Sequence, residues 1–463
     1  MLRASQALRA RAPSPSGGPS PGVPSPTLRF DGEVFRLKGT GELVRALMVL
    51  RLCAWPPLVT HSLEVLSWCR RLLGSRLSGA VLRASVYGQF VAGETAEEVQ
   101  SSVRRLQALG LRPLLAVPTE EEPGTERGGE GWYEGNLSAM LSCVDLSSPP
   151  ADPAAPSPAL MQLKVTALTS TRLCKELTAL LGAPGGTREL SPDSLAAIME
   201  SGQDPHISSL SSQQNQHLGA SLRRFHRVAQ HARARGVRLL VDAEYTSLNP
   251  ALSLLVSALA LRWNRPEEAD RHGAAWVWDT YQAYLQDTPE RLGRAAEAAE
   301  RRGLAFGVKL VRGAYLEKER ELARRAGTPD PTQPDYEATS RSYSRCLELM
   351  LGQVSRRGPQ CRLMVASHNE QSVSQAARRM AELGIRPDGP VCFGQLLGMC
   401  DQVSLALGQA GYAVYKSIPY GPLDEVLPYL SRRAQENRAV LHGARRERQL
   451  LRRELWRRMT RRP

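Results

Sequence analysis

The stretch KSIPYGPLDEVLPYLSRRAQEN, Lys416 to Asn437, holds two adjacent arginines on a segment patterned as a helix. Advancing about 100° per residue from Val426 places Leu430 and Arg433 in one narrow stripe, with Leu427 and Ala434 flanking it. Arg433 is therefore expected to point inward, next to Arg432. Two chemistries are open. The arginines snorkel, or Arg433 pairs with Glu436 at i,i+3; alternatively, the tandem guanidinium forks clamp the carboxylate of a small acid.

Other polar side chains fall at the ends of strand-like runs. In MQLKVTAL, Lys164 shares a face with Gln162 and Thr166, opposite Met161, Leu163 and Val165. In VRLLVDAE, Asp242 and Glu244 oppose Val241 and Ala243, while GVKLVRGAY ends in Tyr315 and VASHN carries His368. Taken singly, a strand-end aspartate is often a structural cap and a histidine is often a satisfied core residue. A lysine, carboxylates, a phenol and an imidazole on several strand ends together are what the catalytic face of a β/α barrel gathers.

The elements that must position them recur along the chain. Strand-like runs cover 85–91, 111–117, 161–168, 237–244, 276–285, 305–315, 362–369, 391–398 and 413–421, with helical segments between many of them. This alternation predicts an α/β fold with a parallel sheet, and eight units close a (βα)8 barrel. Of the nine runs, the last is expected to be the additional extended segment. Residues 31–84 read as an N-terminal helical segment, 85–444 as the barrel, and 118–160 as a loop insertion containing EEEPGTERGGEG and SSPPADPAAPSPA. No G-x-G-x-x-G follows a strand; GTGELV at Gly39 lacks the third glycine.

The chain has 463 residues, 42% of them apolar, enough for one large barrel with a sizeable core. Of the formal net charge of +14, residues 1–30 carry +4 and 445–463 carry +7, which leaves about +3 for the body. Nucleic-acid binding through the arginine-rich end is the rival function of another class, but a body so nearly balanced offers no basic groove. Residues 1–30 are rich in Arg, Ser and Pro without Asp or Glu, the profile of a mitochondrial transit segment. Eight cysteines without a CxxC or a metal-ligand spacing read as reduced thiols, and no metal is expected.

The ordered stretches LKVTAL, VDAE, YQAYL, KLVRGAYLEKE, ASHNEQSV, FGQLLGM and PYGPLDEVLPYLSRRAQEN, spanning roughly Tyr87 to Arg438, resemble the proline dehydrogenase family of flavoenzymes. The resemblance implies a distorted (βα)8 TIM-type barrel whose last helix sits above it, and FAD bound without a Rossmann domain. It assigns the substrate carboxylate to Arg432, Arg433 and the lysine of the third strand-like run, Lys164, with Asp242 orienting that cationic cluster. Tyr315 borders the substrate, Leu396 packs on its ring, and Glu94 of AGET pairs with the first arginine as a gate. Gln282, Lys309, Val311, Arg312, Gly313, Ala314, Ser367 and His368 match flavin-contacting positions. Many family members have arginine where Lys309 stands.

One departure bears on the substrate. Members that oxidise proline usually place a tyrosine directly before the x-P-Y-G turn, where this chain has Ser417. The smaller side chain leaves space for a hydroxyl and supplies a hydrogen-bonding partner. The expectation is an enzyme that takes trans-4-hydroxy-L-proline in preference to L-proline, by hydride transfer from C5 to flavin N5, the alternative being a proline dehydrogenase proper. A membrane quinone is the implied electron acceptor, at the matrix side of the mitochondrial inner membrane. The basic tail 445–463 suits an anionic lipid surface or is a solvated, partly helical end.

Overall fold

The structure, a computed structural model, describes residues 28–119, 129–149, 159–183, 189–268, 273–436 and 444–460. Eight parallel strands close a barrel in chain order: β1 (Arg112–Ala116), β2 (Ala159–Leu163), β3 (Val237–Val241), β4 (Val277–Gln282), β5 (Phe306–Val311), β6 (Cys361–Ala366), β7 (Val391–Leu396) and β8 (Val414–Pro419). Closure is made by β1, which pairs with β2 on one side and β8 on the other.

Alternation along each strand separates two cores. Met161, Leu163, Val241 and Val308 face the surrounding helices, while Leu114, Leu160, Leu240, Trp278, Met364 and Tyr415 fill the barrel interior. Trp278 packs across β5 because position 307 is glycine: a Cβ there would lie 2.4 Å from the indole. This plug closes the lower barrel and leaves the C-terminal strand ends open for polar side chains.

The nine-run expectation is corrected at its first member. Residues 85–90 are helical, a π-turn Arg83–Tyr87 followed by Gly88–Phe90, with Val91 extended, and the last run forms β8. Distant contacts decide this against local β propensity: Tyr87 Oη donates to Gly421 O at 2.7 Å and Gln89 Nε2 to Gly398 O at 2.8 Å. Lys164 accordingly follows the second strand, not the third. The expected insertion 118–160 contains the helix Gly129–Ser147, which buries Tyr133, Leu137, Met140 and Val144 at helical spacing. Its two low-complexity stretches fall largely on 120–128 and 150–158, outside the described residues, as do residues 1–27 of the transit-like segment.

The N-terminal segment is helical as expected, with α1 (Thr40–Cys53), α2 (Pro56–Thr60) and α3 (Ser62–Leu82). The basic tail is no loose end. It forms the helix Arg445–Thr460, whose Leu450 and Leu451 pack with Leu43, Leu50 and Met399. The helix Leu423–Glu436 crosses the barrel mouth and buries Val426 and Leu427 against Leu82, Tyr87 and Val91.

Candidate active site

A cavity of about 1040 Å³ opens at the C-terminal strand ends. The barrel supplies its floor and α1 to α3 supply an apolar wall that includes Leu52, Val59 and Leu66. The helix Leu423–Glu436 contributes Leu427, Leu430 and Arg433.

Charge is concentrated on the floor. Asp242, just beyond β3, lies 2.5 Å from Lys309 Nζ on β5. Burial alone would raise the Asp242 carboxyl, but Lys309 and then Lys164 outweigh it and hold the group below its ordinary range. Gln162 Nε2 donates to both Asp242 oxygens at 3.3 and 3.4 Å, and its Oε1 accepts from Ser417 Oγ at 2.6 Å. One network therefore joins four strands, and a bound anion would meet two lysines compensated by one carboxylate.

An aromatic group stands beside it. Arg433 Nη1 donates to Tyr315 Oη at 3.3 Å, and the guanidinium lies 5.5 Å from the Tyr315 ring and 5.3 Å from Tyr429. Tyr245 stacks on Tyr315 at 4.5 Å. Arg433 thus points inward into the cavity wall, as the helical stripe requires.

Of the substrate-side residues expected from sequence, Lys164, Asp242, Tyr315, Leu396, Ser417 and Arg433 share the cavity. Arg432 and Glu94 do not line it. The Glu94 carboxylate is engaged by Arg83, and its backbone N–H donates to Glu98 Oε2 at 2.7 Å.

The residues expected on the cofactor side lie at the ends of β4 to β6, in the same cavity. Gln282 is fixed by Asn249 Nδ2 and Glu244 O, both at 3.2 Å. Arg312 lies over Tyr336 at 4.5 Å and donates to Ser340 Oγ at 2.8 Å, yet its Nη1 is shielded from solvent with no acceptor among the described residues. Gly313 has φ +130°, and a Cβ there would fall 1.6 Å from the Tyr284 ring. Val311 and Ala314 flank this segment, and Lys309 begins it. Ser367 Oγ accepts from Asn369 N at 3.1 Å, and His368 Nε2 accepts from Leu396 N at 3.0 Å. Burial, reinforced by Lys416, pushes the His368 imidazole down to about 3, so it stays neutral. Its Nδ1 carries the ring proton.

Sequence reasoning missed the support behind Leu396. Lys416 Nζ donates to Leu396 O at 3.1 Å and Met399 O at 2.7 Å and pairs with Asp401 at 2.8 Å. Asp401 also pairs with Lys38. Glu447 of the C-terminal helix accepts from Cys400 N and Asp401 N at 2.8 and 2.9 Å, fixing Cys400 at φ +57°. It also missed Gln162, although that residue shares the inward parity of Lys164.

Comparison with known proteins supplies the relationship. The family described as proline dehydrogenase matches residues 155–446. Hydroxyproline dehydrogenase of Bos taurus is 71% identical over 461 residues, covering 99% of this chain and 98% of that one. The Xenopus laevis protein of the same name is 54% identical, covering 93% and 90%. Proline dehydrogenase 1, mitochondrial, of Homo sapiens is 34% identical, covering 96% and 92%. The fold resembles that of proline utilization A from Bdellovibrio bacteriovorus, with a TM-score of 0.58 at 20% identity; 88% of this chain aligns with 36% of that one.

Proposed function

Since the chain belongs to the proline dehydrogenase family, we propose that this dehydrogenase uses FAD to oxidise trans-4-hydroxy-L-proline, and L-proline more weakly, to the corresponding Δ1-pyrroline-5-carboxylate. The observation that carries the substrate reading is Ser417 on the cavity floor, where its small hydroxyl borders the Lys164, Asp242 and Lys309 cluster through Gln162. The names of the relatives at 71% and 54% identity support the same substrate.

The residues divide the work. Lys164 and Arg433, which line the cavity where Arg432 does not, hold the substrate carboxylate, and Asp242 keeps the lysines from repelling one another. Tyr315, braced by Tyr245 and Arg433, walls the substrate ring, and Leu396 closes on it. Fixing the carboxylate fixes the ring carbon at C5 relative to the cofactor wall.

The cavity fits the cofactor. Its volume is that of a large-ligand site. Arg312 Nη1 offers a buried donor for a phosphate or carbonyl oxygen, and His368 and Gln282 add neutral polar edges. Gln282, Lys309, Arg312, Ser367 and His368, with the segment Val311, Gly313 and Ala314, would hold FAD, which would supply N5 as hydride acceptor.

The outer face of the same helical wall supports a peripheral membrane contact and a quinone acceptor. Among the described residues, eleven exposed large apolar side chains lie between Leu37 and Val81, two on the C-terminal helix and only three elsewhere. Trp55, Trp68 and Leu72 stand out there beside Arg70, Arg71 and Arg76. The inner side of these helices lines the cavity, giving a lipophilic acceptor a short route from the lipid. No helix among the described residues is long and apolar enough to cross a membrane. The name of the human relative, Proline dehydrogenase 1, mitochondrial, supports a mitochondrial location, and we place this chain at the matrix side of the inner membrane on the strength of the apolar face.

The test is turnover of purified protein with an artificial electron acceptor, trapping the cyclic imine product. Hydroxyproline oxidised with higher kcat/KM than proline supports the reading; a preference for proline removes the substrate assignment.

A further inference from the structure

Ser417 does not meet the cavity as a free hydroxyl. It sits 2.6 Å from Gln162 Oε1, and the amide nitrogen of Gln162 reaches both oxygens of Asp242 at 3.3 and 3.4 Å. All three side chains line the cavity. Barrel closure brings them together, because β1 pairs Leu114 with Ser417 on one side and with Leu160 on the other.

The direction of each hydrogen bond follows from proton bookkeeping. Asp242, 2.5 Å from Lys309 and close to Lys164, is a carboxylate and can only accept. The Gln162 amide must then turn its NH2 toward Asp242 and its carbonyl toward Ser417. That carbonyl can also only accept, so the Ser417 hydroxyl directs its single proton to Gln162. What Ser417 presents to the cavity is lone pairs.

We propose that Gln162 is a specificity-positioning residue that makes Ser417 a hydrogen-bond acceptor, so that the site selects a ring substituent able to donate a proton. The inference rests on the reading of the substrate as a ring-hydroxylated proline. It goes further in stating why a hydroxyl is favoured over a substituent of similar size: an acceptor-only group would face the Ser417 lone pairs without a proton between them. With Gln162 replaced by an apolar side chain, Ser417 is free to donate, and that discrimination disappears.

The experiment uses the holoenzyme and compares kcat/KM for 4-hydroxy-L-proline, 4-fluoro-L-proline of the same C4 configuration, and L-proline. Fluorine is electron-withdrawing like a hydroxyl and not larger, but it carries no proton. The wild type is expected to favour hydroxy over fluoro on the order of tenfold, the cost of one unmade hydrogen bond. In Gln162→Met, whose flexible side chain fills similar volume, that ratio should fall to within about threefold. In a Ser417→Ala background, Gln162→Met should move it no further, because the two residues act as one unit. A general structural defect lowers all three substrates together and leaves the ratio in place.

Equal use of the hydroxy and fluoro substrates by the wild type overturns the inference while leaving hydroxyproline oxidation intact, and so does an unchanged ratio in Gln162→Met. Should that variant not fold, the wild-type comparison decides alone. Failure to oxidise hydroxyproline overturns the substrate reading and this inference with it.

Discussion

A carboxylate oxygen of Asp242 lies 2.5 Å from the ammonium of Lys309, with the two side chains only 15% and 9% exposed. Lys164 presses on the same carboxylate. Asp242→Asn leaves two lysines in a confined cavity with their shared anion gone. Removing one partner of a buried pair costs about 3 to 5 kcal/mol, and urea unfolding of the variant should show a loss of that order. Unchanged stability would mean that the lysines are solvated rather than compensated by Asp242.

The His368 imidazole is held neutral by burial and then by Lys416, with its folded-state value near 3 against an ordinary 6.5. A depressed histidine contributes stability that is full above its ordinary value and is lost as pH falls from there toward the folded value. Between roughly pH 6.5 and 4, wild-type stability should therefore drop more steeply than that of His368→Gln, by up to about 1.4 kcal/mol per pH unit. Urea midpoints at several pH values measure the difference, and parallel slopes would contradict a buried neutral imidazole.

Gly313 combines a left-handed φ of +130° with a Tyr284 ring that a Cβ would strike at 1.6 Å. Gly313→Ala must move either the backbone or the tyrosine, at about 1 to 3 kcal/mol for the backbone strain alone. The expected result is a reduced ratio of FAD to protein after gel filtration. Full retention of FAD would place the cofactor elsewhere.

The apolar face of α3 is expected to carry lipid binding. Trp68 and Leu72 are 62% and 76% exposed, and burying one such side chain in a bilayer interface is worth about 2 kcal/mol. Trp68→Glu and Leu72→Glu should each weaken flotation with anionic liposomes by more than tenfold. Unaltered flotation would remove this face from the account.

Much of the barrel was legible because strand alternation and the hydrophobic stripe on Leu423–Glu436 are local patterns. Lys164, Asp242 and Arg433 stand out for the same reason, since a charge on an otherwise inward face demands a partner or a ligand. The misread segment 85–91 owes its helical turn to bonds with Gly421 and Gly398, more than 300 residues away. The tail misled because its arginines dominate the composition, while Leu450, Leu451 and two buried glutamates dock it. Gln162 shares the parity of Lys164, but only barrel closure, with β1 paired to both β2 and β8, brings Ser417 within 2.6 Å of it. The network of Lys38, Asp401, Lys416 and Glu447 draws on four separate parts of the chain, and no window of sequence contains it.

Anaerobic mixing of the FAD-loaded wild type and Ser417→Tyr with 4-hydroxy-L-proline and L-proline, following bleaching of the flavin band, tests the central claim most directly. Wild type is predicted to be reduced with a higher apparent second-order rate constant by hydroxyproline, and the tyrosine variant to reverse that ratio toward proline. A ratio that is the same in both proteins, or a protein that takes up no FAD, would contradict the account.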